Sequence, residues 1–289
     1  MQRTNEPSRF DSWIRTRSIA DYVLERQNED GGYTFAQWSE SSAQDTYFAI
    51  QILRMLDVSP VRKERTIAFL RKLQHSDGGF DSIKVAYYVT KSLKELGATL
   101  EKDCEEFILQ AQSSLGRLGS IEVNIEASSE IETTHLFLET SRLLGRSVES
   151  DTLLRLILSL KNHDGSFGQA GYSHLASLYY ALASLKVLGY DVNSLDSTLR
   201  WVRGCENPAG GFARNPNHFE AYLILDEMYY GLKALEVFGE PSLYPSQNLN
   251  LIAKFQNSNG GFRRSIFLGI STFESTFHAL SCLQLLMNG

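Results

Sequence analysis

The chain has 289 residues, 43% of them apolar and 21% charged, with a formal net charge of −6. That composition suits a folded globular protein and excludes a disordered one, and its acidic balance offers no basic stripe for nucleic acid. No apolar run approaches the ~18 residues of a membrane span.

In chain order, helical segments are expected in pairs. They cover roughly Trp13–Arg26 and Asp45–Leu56, Val61–Leu73 and Ala86–Leu96, Lys102–Ala111 and Thr134–Leu144, then Asp151–Leu160 and Ser177–Leu188, Ser197–Cys205 and Glu227–Phe238, Ser246–Phe255 and Ser275–Met287. Strand signals are almost absent. Five pairs are joined by a polar run that ends in Gly-Gly-aromatic or nearly so: Gln27 to Tyr33, Gln74 to Phe80, Lys161 to Phe167, Glu206 to Phe212 and Gln256 to Phe262. The third pair departs from the pattern, with Gln112 to Ser120 in place of the signature. Second helices end at Leu56-Asp57, Leu96-Gly97, Leu144-Gly145, Leu188-Gly189, Phe238-Gly239 and Leu286-Met287. Glycine there suits a left-handed helix terminus.

Self-similarity at roughly 40–50 residues marks a repeat architecture. The units run over about 13–57, 60–97, 100–145, 148–189, 193–239 and 244–287, within one domain spanning 1–289. The second helix of each pair is the more apolar, which places it inside. Arg62, Lys63, Glu64, Arg71 and Lys72 mark the first helix as outer. The expected fold is all-α: an α6/α6 barrel, or toroid, of six helix hairpins.

A glutamine four residues before Gly-Gly-Phe, between paired helices, resembles the repeats of protein prenyltransferase β subunits. It is also similar to the glutamine-tryptophan repeats of squalene–hopene and related terpene cyclases. The resemblance covers about residues 13–287 and implies an isoprenoid-binding toroid that acts on a prenyl diphosphate or related terpenoid. It also implies the chance of a helical partner subunit around the barrel. A class II terpene cyclase and a non-catalytic lipid-binding or scaffold toroid are the alternatives.

Each inner helix begins with a pair of neighbouring residues, mostly aromatic: Tyr47-Phe48, Tyr87-Tyr88, His135-Leu136, Tyr179-Tyr180, Tyr229-Tyr230 and Phe277-His278. Neighbours on a helix stand about 100° apart, so one member of each pair can face the axis. Tyr47, Tyr87, His135, Tyr179, Tyr229 and Phe277 are therefore candidates to grip an isoprenoid or steady a carbocation. Arg214 and Arg263, with Arg264, Lys84 and Lys233, are candidate diphosphate ligands.

Protein prenyltransferases hold zinc with an Asp and a Cys two residues apart and a His in the next unit. Here Asp226 can match the Asp or the Cys, Met228 falls on the Cys in one register, and Glu274 or Ser275 falls on the His. The ligand set is not intact, no metal ligands are assigned, and magnesium is left open. The proton-donating acid motif of class II cyclases is matched only by Glu130-Ile131-Glu132-Thr133-Thr134, with Glu132 at the donor position and His135 beside it. Glu132, Asp45 and Asp226, all near inner-helix starts, are the catalytic candidates. The long connections 34–44 and 213–222 lead to the same starts, so that end of the barrel is the expected site. Cys104, Cys205 and Cys282 are odd in number and lack metal-type spacing. They favour a reducing, cytoplasmic setting over a disulfide framework. The polar start, Met1–Ser12, has no signal-peptide centre.

Overall fold

A computed structural model describes residues 10, 12–118, 127–148, 150–168, 174–216 and 223–288. Among these residues there are twelve α-helices and, in place of strands, only isolated bridges. The outer helices are α1 (Thr16–Leu24), α3 (Lys63–Lys72), α5 (Glu105–Leu118), α7 (Ser150–Ser159), α9 (Asp196–Cys205) and α11 (Pro245–Ile252). The inner helices are α2 (Ala43–Met55), α4 (Ile83–Glu95), α6 (Ala127–Leu143), α8 (Leu175–Val187), α10 (Leu225–Phe238) and α12 (Phe273–Asn288).

The inner helices pack in the order α2, α4, α6, α8, α10, α12, and α12 returns to α2. The ring is therefore closed. Each outer helix lies on the inner helix that follows it. Patterning explains this division. Outer α9 buries Thr198, Trp201, Val202 and Cys205, the i, i+3, i+4, i+7 stripe of a helix with one wet face. Inner α8 is apolar nearly all round and buries Leu175, Ser177, Leu178, Ala181, Leu182, Ser184 and Leu185.

The glutamine of the repeat signature is a staple between units. Gln27, Gln74 and Gln256 each donate through Nε2 to the carbonyl of the first glycine, at 3.1, 2.9 and 3.0 Å. The Oε1 of each accepts the backbone N–H of a residue ahead of the next outer helix: Arg62, Lys102 and, across the ring closure, Arg15. Glu206 holds the same position in the fifth unit and accepts from the Leu243 N–H at 2.8 Å. The first glycine of the turn lies against the next outer helix. At Gly260, φ is +94° and a Cβ would stand 2.2 Å from the Ser18 carbonyl oxygen, so only glycine fits. The aromatic that ends the turn is buried: Tyr33, Phe167, Phe212 and Phe262 are inaccessible.

Two elements differ from expectation. Helix α6 starts at Ala127 rather than Thr134, because the Thr134 hydroxyl donates back to the Glu130 carbonyl at 2.8 Å and sits inside the helix. Helix α5 continues to Leu118, through part of the stretch where a turn signature would fall. No helix among the described residues is long and apolar enough to cross a membrane.

Candidate functional site

The six predicted axial residues meet at mid-barrel. Ring centroids link Tyr87 to Tyr47 at 5.6 Å, Tyr47 to Phe277 at 6.4 Å and Phe277 to Tyr229 at 6.0 Å. Tyr229 reaches Tyr179 at 6.4 Å, and Tyr179 reaches His135 at 6.0 Å. One side chain from each inner helix thus joins an aromatic collar. The neighbouring members pack into it: Tyr88 stacks on Tyr47, His278 stacks on Tyr229 at 4.0 Å, and the Tyr180 and Tyr230 hydroxyls are bonded at 3.2 Å.

Below the collar, toward the C-terminal ends of the inner helices, lies a cavity of about 710 Å³. Tyr47, Tyr87, Tyr179, Tyr229 and Phe277 form its floor. Its walls descend the same helix faces through Gln51 and Arg54 of α2, Lys91 of α4, Lys233 and Glu236 of α10, and Ser281 and Gln284 of α12. These positions follow the floor residues at i+4 and i+7, one face of each helix. The turn after α10, including Glu240 and Pro241, completes the rim. This cavity opens at the end opposite the expected one.

At the helix-start end the candidate acids are engaged in pairs. Glu132 takes an ion pair from Lys84 at 3.0 Å and keeps a side chain 29% exposed. A proton donor to an alkene is better served by a drier site without a lysine partner. Asp226 accepts from His278 Nδ1 at 3.0 Å and pairs with Arg264. Burial alone would raise its carboxyl, but His278 and Arg264 outweigh that and hold it below the ordinary range. Asp45 differs: burial and the nearby Glu274 charge push its carboxyl up, partly opposed by the Phe35 N–H and Ser42. That direction favours the protonated form of Asp45.

The arginines do not meet the collar from this end. Arg214 pairs with Glu227 at 3.0 Å, and Arg263 donates to the Lys254 carbonyl at the end of its own outer layer. Arg54 and Lys91, which do reach the cavity, were not among the sequence candidates. Their signal was the i+7 and i+4 offset from Tyr47 and Tyr87. Acids at helix starts and bases toward helix ends also complement the inner-helix dipoles.

His135 is buried, its Nδ1 has no partner, and burial lowers its pKa to about 4, so the ring is neutral at pH 7. Asp226, the residue that matches a zinc ligand in sequence, is engaged by His278 and Arg264, and among the described residues no three His, Cys, Asp or Glu side chains group as metal ligands.

The prenyltransferase α/α-toroid domain model matches residues 8–85, 81–222 and 224–288. The chain belongs to that family. No curated protein sequence matches it. Among solved structures it is similar to Candida albicans protein geranylgeranyltransferase-I complexed with GGPP, at 15% identity and a TM-score of 0.66, covering 94% of this toroid and 91% of that chain. It is also similar to the type II terpene cyclase MstE from Scytonema, at 13% identity and a TM-score of 0.60, covering 94% and 96%. A variant of that cyclase in complex with geranylgeranyl dihydroxybenzoate matches at 12% identity, a TM-score of 0.60 and coverage of 94% and 95%. Identities this low carry the fold and nothing finer.

Proposed function

We propose that this toroid binds an isoprenoid ligand with a polar head and acts as a prenyltransferase-like protein. One observation carries the reading: a cavity of about 710 Å³ whose floor is five aromatic rings and whose walls mix charged and amide side chains with apolar ones such as Met55, Leu232 and Leu285. Apolar floor and a few polar groups are what a small-molecule site needs, and the volume lies in the usual range. An allylic chain gains apolar contact and ring-face electrostatics from the collar. Two of the three similar structures hold GGPP and geranylgeranyl dihydroxybenzoate, both chains with polar heads. The exposed apolar side chains Trp38, Phe267, Leu268 and Ile270, in connections leading to inner-helix starts, support a partner chain that covers that end.

The test is thermal. Geranylgeranyl diphosphate or geranylgeraniol at about 100 times its dissociation constant adds about 2.7 kcal/mol, or a rise of roughly 5 °C in a protein of this size. Tyr179→Ala and Tyr229→Ala are expected to diminish that rise. If neither compound shifts the wild-type melting temperature at saturating excess, the isoprenoid reading fails. Cyclisation is the second reading, favoured by the raised Asp45 carboxyl rather than by Glu132.

A further inference from the structure

The cavity walls are not equivalent. On the α10 side Lys233 is paired with Glu236 one turn away, and Glu240 stands at the rim. On the α2–α4 side a single carboxylate, Glu95, serves two cations, Lys91 at 3.0 Å and Arg54 at 3.4 Å. That wall therefore carries positive charge in excess.

Next to it is an unmet donor. Gln51 is only 3% exposed and lines the cavity, yet its Nε2 has no hydrogen-bond partner. A buried amide left without an acceptor is costly, and each such group calls for an explanation. Tyr47 and Tyr87 add to the donor count. Their hydroxyls are 3.5 Å apart, so one donates to the other and one hydroxyl hydrogen stays available.

We infer that the α2–α4 wall is an oxyanion cradle, built to hold a phosphate-type head by Gln51, Arg54 and Lys91 below the aromatic floor. The ligand then enters from the C-terminal end of the inner helices, with its anionic head toward the rim and its apolar part on the rings. Charge, an orphaned donor and an adjacent cavity meet in one place. An acceptor-rich anion satisfies all three, whereas a neutral apolar ligand leaves the Gln51 amide unbonded. This proposal extends the isoprenoid reading, but the cradle is testable without any prenyl chain.

Inorganic pyrophosphate is the probe, followed by titration calorimetry at low and high salt. Saturable binding is expected, weakening as salt rises. Gln51→Leu is expected to weaken it at least about tenfold while raising the melting temperature, because the unmet donor is gone. Lys91→Met is expected to weaken it comparably, Lys91→Arg to retain it, and Arg71→Ala on the outer face to leave it unchanged. Inorganic phosphate and geranylgeranyl diphosphate, titrated in parallel, show whether the cradle takes a free anion or an esterified head. Absence of saturable pyrophosphate binding overturns the cradle, as does equal weakening by Arg71→Ala. If geranylgeraniol binds and pyrophosphate does not, the cradle is wrong and the isoprenoid reading stands. The converse result upholds the cradle and removes the isoprenoid.

Discussion

Acidification from pH 7 toward 4 probes the collar directly through His135. The imidazole is 8% exposed, packs against Tyr179 and Tyr180 at 6.0 and 5.4 Å, and leaves Nδ1 without a partner. Burial is the main cause of its lowered pKa; Lys233 and Arg142 lower it further, while Glu139 acts the other way. The unfolded chain takes up a proton at the ordinary 6.5, and the folded chain only at about 4. Between those values the unfolded state binds more protons, so stability falls as pH falls and levels off below the folded value. At ~1.4 kcal/mol for each tenfold in proton affinity, the full loss is roughly 3 kcal/mol, and about 2 kcal/mol of it is gone by pH 5. His135→Phe keeps a ring in the collar and removes the titration. Urea unfolding of both proteins at pH 7, 6, 5 and 4.5 measures the difference. Asp226, held below the ordinary carboxylate range, contributes its loss at lower pH still. Asp45, raised, has the opposite sign: the extra cost of its ionised form disappears on acidification. Parallel wild-type and variant curves between pH 6.5 and 5 would refute the assignment of acid sensitivity to His135.

Two further outcomes concern the staples. Gly260→Ala brings a Cβ against the Ser18 carbonyl at φ +94°, and a loss of about 2–4 kcal/mol is expected. Denaturant unfolding gives the magnitude, and faster hydrogen exchange in α1 locates the damage; a variant within ~0.5 kcal/mol of wild type contradicts the seam geometry. Glu206, with a side chain 1% exposed, accepts from Arg203, Ser242 and the Leu243 N–H. Glu206→Ala is expected to cost about 3–5 kcal/mol, and Glu206→Gln, which restores the residue of three other turns, clearly less. Equal costs would show that the backbone bond to Leu243 is not what the residue provides.

The ring was legible in the sequence because each part has a local cause. Glycine after the last apolar residue announces a left-handed helix end, seen at Gly97, Gly145, Gly189 and Gly239. In the first unit Asp57 takes the same conformation at φ 55°, a cost that an aspartate tolerates. The collar was legible too, since Tyr47, Tyr87, Tyr179, Tyr229 and Phe277 stand one per inner helix. Which end of the barrel holds the cavity was not. A helix face carries polar groups on both sides of its aromatic residue, and only packing decides which side is filled: Tyr88, Tyr180, Tyr230 and His278 crowd into the collar, while Gln51, Lys91 and Lys233 leave room beneath it. Lys91 and Arg54 lie one and two turns beyond Tyr87 and Tyr47, where a lone cation in sequence looks the same whether it lines a cavity or faces solvent. Glu206 aligns with the glutamines in sequence, but its stapling role is visible only in the structure, where the accepting half needs no more than an oxygen.

The junction of Arg15 with Gln256 and Asn257 joins the beginning of the barrel to its end by the contacts that Arg62 makes with Gln27 and Asn28, and the Tyr22 hydroxyl adds a bond to the Ser271 carbonyl. An open stack of helical hairpins has terminal units that face water on one side and need special polar surfaces. Among the described residues the ring closes on itself, with α12 against α2. Its unit number is fixed by geometry, since a loss or gain of one hairpin leaves two mismatched edges instead of a shorter or longer stack. Breaking a single seam exposes the collar along its length. The barrel is in that sense one mechanical loop, and tension introduced anywhere on its circumference is carried by every joint.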